Sequence, residues 1–186
     1  MIDETQWEEG SLWRPPPPGP YRLPAAVLTL SRAVLDQTLA VFRRTASRRL
    51  EACCFWYGLR TNGGGASVLA IVVPQQRNSW GNYFVPAAAV AEMAAATRPR
   101  GWVNLGQVHT HPGRNVEHSR YDDGHANSRR ALSVVLPFYG RWQGPWPLGV
   151  GLHEFQNDYW HLLSDADASL RVTVAEFGDA ELLDLR

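Results

Sequence analysis

Short apolar runs alternate with breaks rich in glycine, proline or charge along most of the chain, and the spacing inside each run separates strands from helices. Residues 27–30 read as a short strand. Ser31 then stands where a cap belongs, ahead of a helix carrying Ala33, Val34, Leu35, Leu39, Val41 and Phe42 at helical spacing. Arg43, Arg44, Arg48 and Arg49 cluster near the end of that helix, where its dipole favours positive charge. Glu51 opens an apolar run through Tyr57, a second β-rich run covers 67–73, and Asn62, Gly63, Gly64 and Gly65 between them signal a hairpin turn. A phosphate-cradling role for those glycines fails because no Lys-Ser or Lys-Thr follows. Residues 86–97, opened by Pro86 and rich in alanine, predict a helix, and 102–109 returns to strand. A short polar helix is predicted over 119–130, then strands over 131–139, 148–155 and 159–163. A last strand near 172–174 precedes an acidic, weakly structured end. The order is mixed α and β around one sheet, without internal repeats.

Three segments follow from this reading: an N-terminal arm over 1–24, one globular domain over 25–165 and a C-terminal extension over 166–186. Pro15, Pro16, Pro17, Pro18, Pro20 and Pro24 favour an extended, polyproline-like arm, docked through Trp7 and Trp13 or serving as a linker. With 186 residues and 45% of them hydrophobic, the domain buries a core without a disulfide or metal staple. Cys53 and Cys54 are adjacent, and a bridge between neighbours is strained, so they read as two reduced thiols packed in a strand, one of them pointing inward.

Eighteen basic against eighteen acidic residues give zero formal charge, which removes the electrostatic drive toward nucleic acid or anionic membranes. No apolar run approaches the roughly 20 residues that span a bilayer, and the first 20 residues are acidic and proline-rich rather than signal-like. A cytoplasmic protein is the expectation. Every basic residue is arginine and lysine is absent, a bias that a GC-rich genome produces and that avoidance of lysine-modifying chemistry would also produce.

Chemistry-bearing residues concentrate in Gln107-Val108-His109-Thr110-His111-Pro112-Gly113 and Ser119-Arg120-Tyr121-Asp122. Alternate side chains of a strand share a face, so His109 and His111 project together. Pro112 and Gly113 end the strand, and the three-residue spacing of Ser119 and Asp122 places hydroxyl and carboxylate on one side of a helical turn. Two imidazoles and one carboxylate make three protein ligands, which leaves a zinc ion its fourth position for water, the catalytic arrangement. Bound water then titrates near pH 7 and the metal polarises a carbonyl. Glu51 begins a strand suited to lie beside the one ending at His109 and is the candidate general base, then acid.

Glu51, His109-Thr110-His111-Pro112, seven intervening residues counted from Pro112, and Ser119-Arg120-Tyr121-Asp122 together resemble the JAMM (JAB, MPN-plus) metalloprotease pattern. The resemblance spans about residues 27–163, and Glu51-Ala52-Cys53 is similar to the start of the family's first motif, with Cys54 where glycine is frequent. It implies a deaminase-like α/β/α sandwich with a central mixed sheet. It also implies one catalytic zinc held by His109, His111 and Asp122, with Glu51 activating water and Ser119 supporting the oxyanion. The implied reaction is isopeptide or peptide hydrolysis after the C-terminal glycine of a ubiquitin-like protein, beside conjugation enzymes in compact bacterial members. Processing of a sulfur-carrier protein and a non-catalytic scaffold of the same fold are the alternatives.

Competing assignments are weaker. The Ser119 spacing selects Asp122 over Asp123, which reads as a solvated helix residue, and His118 and His125 read as surface histidines. His153-Glu154 lacks the second histidine of a zinc helix because Asn157 occupies that position. The cysteines lack the two-residue separation of a zinc deaminase. A serine nucleophile at Ser119 is unnecessary beside metal-activated water. Most of the aromatic residues between Phe138 and Trp160 should be core, with Trp142 exposed and available to a protein substrate.

Overall fold

The computed structural model describes residues 14–126, 128–176 and 178–186. Strand β1 (Leu28–Ser31) leads into helix α1 (Arg32–Ser47), whose first turn is capped by Ser31 accepting from the Val34 N–H at 3.2 Å. β2 (Cys53–Arg60) and β3 (Ala66–Val73) form the expected antiparallel hairpin. A bulge falls at Tyr57/Gly58, where the β3 backbone passes so close that any Cβ on Gly58 would overlap the Ser67 carbonyl. A two-stranded ribbon, β4 (Arg77–Asn78) with β5 (Tyr83–Phe84), precedes α2 (Ala87–Thr97) and β6 (Val103–Thr110). Next come α3 (Arg120–His125), β7 (Leu132–Leu136), β8 (Gly151–Gln156), β9 (Tyr159–Leu162), α4 (Asp165–Arg171), β10 (Val172–Ala175) and β11 (Glu181–Asp184).

One mixed sheet runs β10-β1-β3-β2-β6-β7-β8-β9. β2 pairs antiparallel with β6 and places Cys53 opposite His109, while β7 lies parallel on the other side of β6. The alternation of β2 splits its side chains between two cores. Cys54 and Trp56 join Val34, Leu35 and Phe42 of α1, whereas Cys53, Phe55 and Tyr57 join Met93 of α2. Helices thus cover both faces of the sheet, and each cysteine is fully buried in a different core. Thr38 of α1 accepts the Trp56 indole N–H at 2.9 Å, so this large buried ring leaves no polar atom unpaired.

Three sequence expectations change. The expected strand near 172–174 is present as β10, parallel to β1, but the end after it is not weakly structured: β11 pairs with residues 70–73 of β3, the half of that edge beyond β1. The polar helix predicted to residue 130 stops after six residues, at His125. Trp142 is half-buried, packs on the α1-side core and donates its indole N–H to the Leu148 carbonyl at 2.8 Å; among the described residues Trp80, Phe84 and Phe138 are the exposed aromatic residues instead. The expectation that the arm docks through Trp7 and Trp13 lies outside the described residues. Among the described residues, no helix is long and apolar enough to cross a membrane.

Candidate metal centre

β6 ends at Thr110, and its alternation turns His109 toward the α2 face, away from the Val108 side chain in the α1-side core. The β2–β6 register that pairs Cys53 with His109 continues through the Thr110 N–H, which bonds the Ala52 carbonyl at 3.1 Å. One residue beyond this bond on each side lie Glu51 and His111, and the His111 charge acts on the Glu51 carboxyl. The β2–β6 pairing and the residues just beyond it therefore bring Glu51, His109 and His111 to the same end of two neighbouring strands.

Asp122 arrives from the other side, on the first turn of α3. Ser119 caps that helix: its hydroxyl accepts the Asp122 N–H at 3.2 Å and donates to Asp122 Oδ2 at 2.7 Å, while its backbone N–H reaches Oδ2 at 2.8 Å. Locked in this way, Asp122 sets Oδ1 at 3.3 Å from His109 Nε2 and Oδ2 at 3.4 Å from His111 Nε2. One ligand atom from each of the three residues falls within 4.8 Å of the others, so the group could hold a metal ion. His109 and Asp122 are buried, and His111 keeps a 13% exposed side chain that opens the cluster to the surface.

The fit to a cation rests on more than proximity. His109 is fully buried, yet neither ring nitrogen has a hydrogen-bond partner among the described residues, an uncompensated arrangement in a protein interior. A cation held by Nε2 would satisfy that nitrogen. For His109 and Asp122 the protonation states also suit ligation, which requires neutral imidazole and ionised carboxylate. Burial pushes His109 down to about 4, against the pull of Asp122. Burial would raise Asp122, but the facing imidazoles of His109 and His111 hold it well below the usual carboxylate range. His111 moves upward, because its hydrogen bond to Asp122 and the Asp122 charge outweigh burial.

Glu51 is 5% exposed, and its carboxyl group has no hydrogen-bond partner among the described residues. Burial lifts its pKa to about 8, with His111 opposing and the Asp122 charge reinforcing the rise. The Asn78 amide donates to the Glu51 carbonyl at 2.6 Å and the Glu51 N–H bonds the Ser79 carbonyl at 2.8 Å, so the β4–β5 ribbon fixes its backbone. This is a proton-holding side chain beside the three ligands.

Other residues differ from expectation. His118 is not a surface histidine: it is buried, with Nδ1 at 3.0 Å from Asp123 Oδ1 and Nε2 at 2.8 Å from Ser133 Oγ. It stacks on the buried His153 at 3.8 Å between ring centroids. Asp123 is not a solvated residue, since Arg14 Nε reaches its Oδ2 at 2.8 Å. His125 does lie at the surface, stacked on Tyr121. Tyr83 was missed altogether: its buried ring lies 5.4 Å from that of His109, and its hydroxyl accepts from Gln107 at 2.7 Å. It comes from a two-residue strand with no periodicity to read. His118 had a signal in its place directly before the cap residue of α3.

No protein-family model and no curated protein matches the chain. Among solved structures, it is similar to the solution structure of a protein from Desulfitobacterium hafniense, at 18% identity over 81% of this chain and 94% of that one, with a TM-score of 0.59. It is also similar to the solution structure of a protein from Salinibacter ruber, at 20% identity over 73% of this chain and 88% of that one, with a TM-score of 0.54. At these identities the likeness concerns the fold, a mixed α/β sheet shared over most of the chain.

Proposed function

We propose that this chain is a JAMM-type zinc metallopeptidase, built on a deaminase-like α/β/α sandwich, that cleaves after the C-terminal glycine of a ubiquitin-like protein. The observation that carries the reading is the convergence of His109, His111 and Asp122 on one point, with the Glu51 carboxyl within electrostatic reach of His111 and Asp122. The sequence resemblance assigns ligand and acid–base roles to those same four residues.

His109 Nε2, His111 Nε2 and one Asp122 oxygen would hold the zinc. When bound, zinc supplies Lewis acidity, polarising a carbonyl and lowering the pKa of water to about 7. Glu51 supplies the proton traffic. A pKa of about 8 lies near the working range, so the carboxyl can hold a proton for the leaving amine, and its ionised form, a minority at neutral pH in the metal-free chain, can take one from water. Ser119 first orients Asp122; donating to a developing oxyanion would require its hydroxyl to leave Asp122 Oδ2. Trp80 and Phe138, both exposed, border this end of the sheet. Tyr139 ties their loops together, donating its hydroxyl to the Trp80 carbonyl at 3.1 Å and its backbone N–H to the His111 carbonyl at 2.7 Å.

The test is cleavage of a ubiquitin-like protein that carries a short extension after its terminal glycine. The wild-type chain should release the extension, lose activity to a chelator and regain it with zinc. Glu51→Gln should cut turnover by about 10²–10⁴-fold while still binding zinc. Chelator-insensitive cleavage, or full activity in Glu51→Gln, would overturn the mechanism.

A further inference from the structure

A six-residue helix is too short to hold its own position, and α3 must be held from outside if Asp122 is to meet His109 and His111. Its two consecutive aspartates divide the task. Asp122 turns to the candidate metal centre, and Asp123 turns to a second chain of contacts. Arg14, 109 positions away in sequence, donates from Nε to Asp123 Oδ2 at 2.8 Å and from Nη2 to the Trp160 carbonyl at 2.8 Å. Its guanidinium also lies over the Tyr159 ring, 4.5 Å from the centroid. The Arg14 side chain is only 11% exposed. Asp123 Oδ1 meets His118 Nδ1 at 3.0 Å, so the carboxylate accepts a hydrogen bond from Nδ1–H, and Nε2 then accepts from the Ser133 hydroxyl at 2.8 Å. Ser133 sits on β7, directly beside β6. Arg14 thus fastens α3 to β9, while Asp123 and His118 fasten it to β7.

We infer that Arg14 is a positioning residue for the metal centre: by clamping Asp123 to β9, it fixes α3 so that the Asp122 carboxylate stays aimed at the two imidazoles. The inference rests on the metal reading of His109, His111 and Asp122. It makes the N-terminal arm part of the site's construction. An arginine is required because one planar fork must serve a carboxylate and a carbonyl together while stacking on a ring.

Metal affinity of the full-length chain tests this, measured by zinc titration against a competing chelator and by the visible absorption of the cobalt-loaded protein. Arg14→Ala should weaken zinc binding by about 10–100-fold, the usual effect of removing a partner behind a ligand, and should shift the cobalt bands. Arg14→Lys should recover part of the affinity. Arg129→Ala removes an exposed arginine that pairs with Asp158 and lies over Phe155, and should change neither readout. With each variant shown to be folded, a mere loss of stability leaves affinity untouched, because the binding-competent fraction stays near one. Wild-type affinity and cobalt spectrum in folded Arg14→Ala would overturn the inference while leaving the metal reading intact. Should Arg14→Ala not fold, Asp123→Asn carries the comparison, and wild-type affinity there overturns it equally. A wild-type chain that binds neither zinc nor cobalt would bring down the metal reading itself, and this inference with it.

Discussion

Two short helices of this chain begin with the same pattern, Ser-x-x-Asp: Ser119 to Asp122 ahead of α3, and Ser164 to Asp167 ahead of α4. The local chemistry is nearly the same. Ser119 donates to its aspartate at 2.7 Å and accepts from that residue's N–H at 3.2 Å; for Ser164 the distances are 2.8 Å and 3.1 Å. The surroundings differ. Asp122 is buried against two histidines, whereas Asp167 is half-buried and makes no ion pair among the described residues. The serine–aspartate spacing is therefore sufficient to cap a helix and is not in itself a sign of catalysis. What turns a cap into a candidate metal centre is the end of β6, where His109 and, just past the strand, His111 present two imidazoles to one of the two carboxylates.

The sharpest way to break this comparison is to remove both carboxylates in turn. Asp122→Ala should abolish saturable zinc binding, an effect beyond the roughly 100-fold that a partner behind a ligand is worth. Asp167→Ala should leave zinc affinity unchanged and lower unfolding stability by about 1 kcal/mol or less. Chelator-competition titrations of the two variants decide the matter. Equal loss in both, or retained binding in Asp122→Ala, would mean that the site lies elsewhere.

A smaller effect separates the two helices by pH. Nothing near α4 corresponds to Glu51, whose buried carboxyl has a pKa of about 8 against an ordinary value of 4.5. The folded metal-free protein thus keeps this proton through a range in which the unfolded chain has released it. Its contribution to stability is fully present below 4.5, declines from there to about 8 and is lost above. Glu51→Gln cannot ionise, so metal-free Glu51→Gln should gain stability over wild type as pH rises, by on the order of a few kcal/mol at pH 8.5 relative to pH 4.5. Urea unfolding of both proteins at several pH values measures it, and parallel curves would contradict the assigned burial of Glu51.

Legibility from sequence follows the range of the forces involved. The pair His109 and His111 is readable because strand alternation is local, and Asp122 because helix capping is local. The side of the sheet that receives Glu51 is readable only through the assumption that β2 neighbours β6, which the register supports. β11 escapes because a short run, Glu181 to Asp184, becomes a strand by pairing with β3 more than 100 positions away. The burial of His118 escapes for the same reason: it depends on Ser133, His153 and Trp160, which arrive from three later strands. Arg14 is the extreme case, because its partners Asp123 and Trp160 lie in the second half of the chain. The fine class of the mixed α/β fold is not local information either, and it stays with the resemblance rather than with the structural likeness at 18–20% identity.

The mildest substitution is also the most discriminating, because it leaves every carboxylate in place. Ser164→Ala deletes a cap and should cost about 1 kcal/mol of stability, with no other consequence. Ser119→Ala deletes the same cap and also removes a hydroxyl donor from the buried Asp122 carboxylate, whose backbone donor at 2.8 Å survives. Its stability should fall by a similar amount, while zinc affinity falls about 10-fold, the low end for a partner behind a ligand. Turnover then sorts the two roles open to Ser119. If the hydroxyl only orients Asp122, saturating zinc restores cleavage in Ser119→Ala. If it must donate to an oxyanion, the variant stays slow by about 10²-fold or more however much zinc is added.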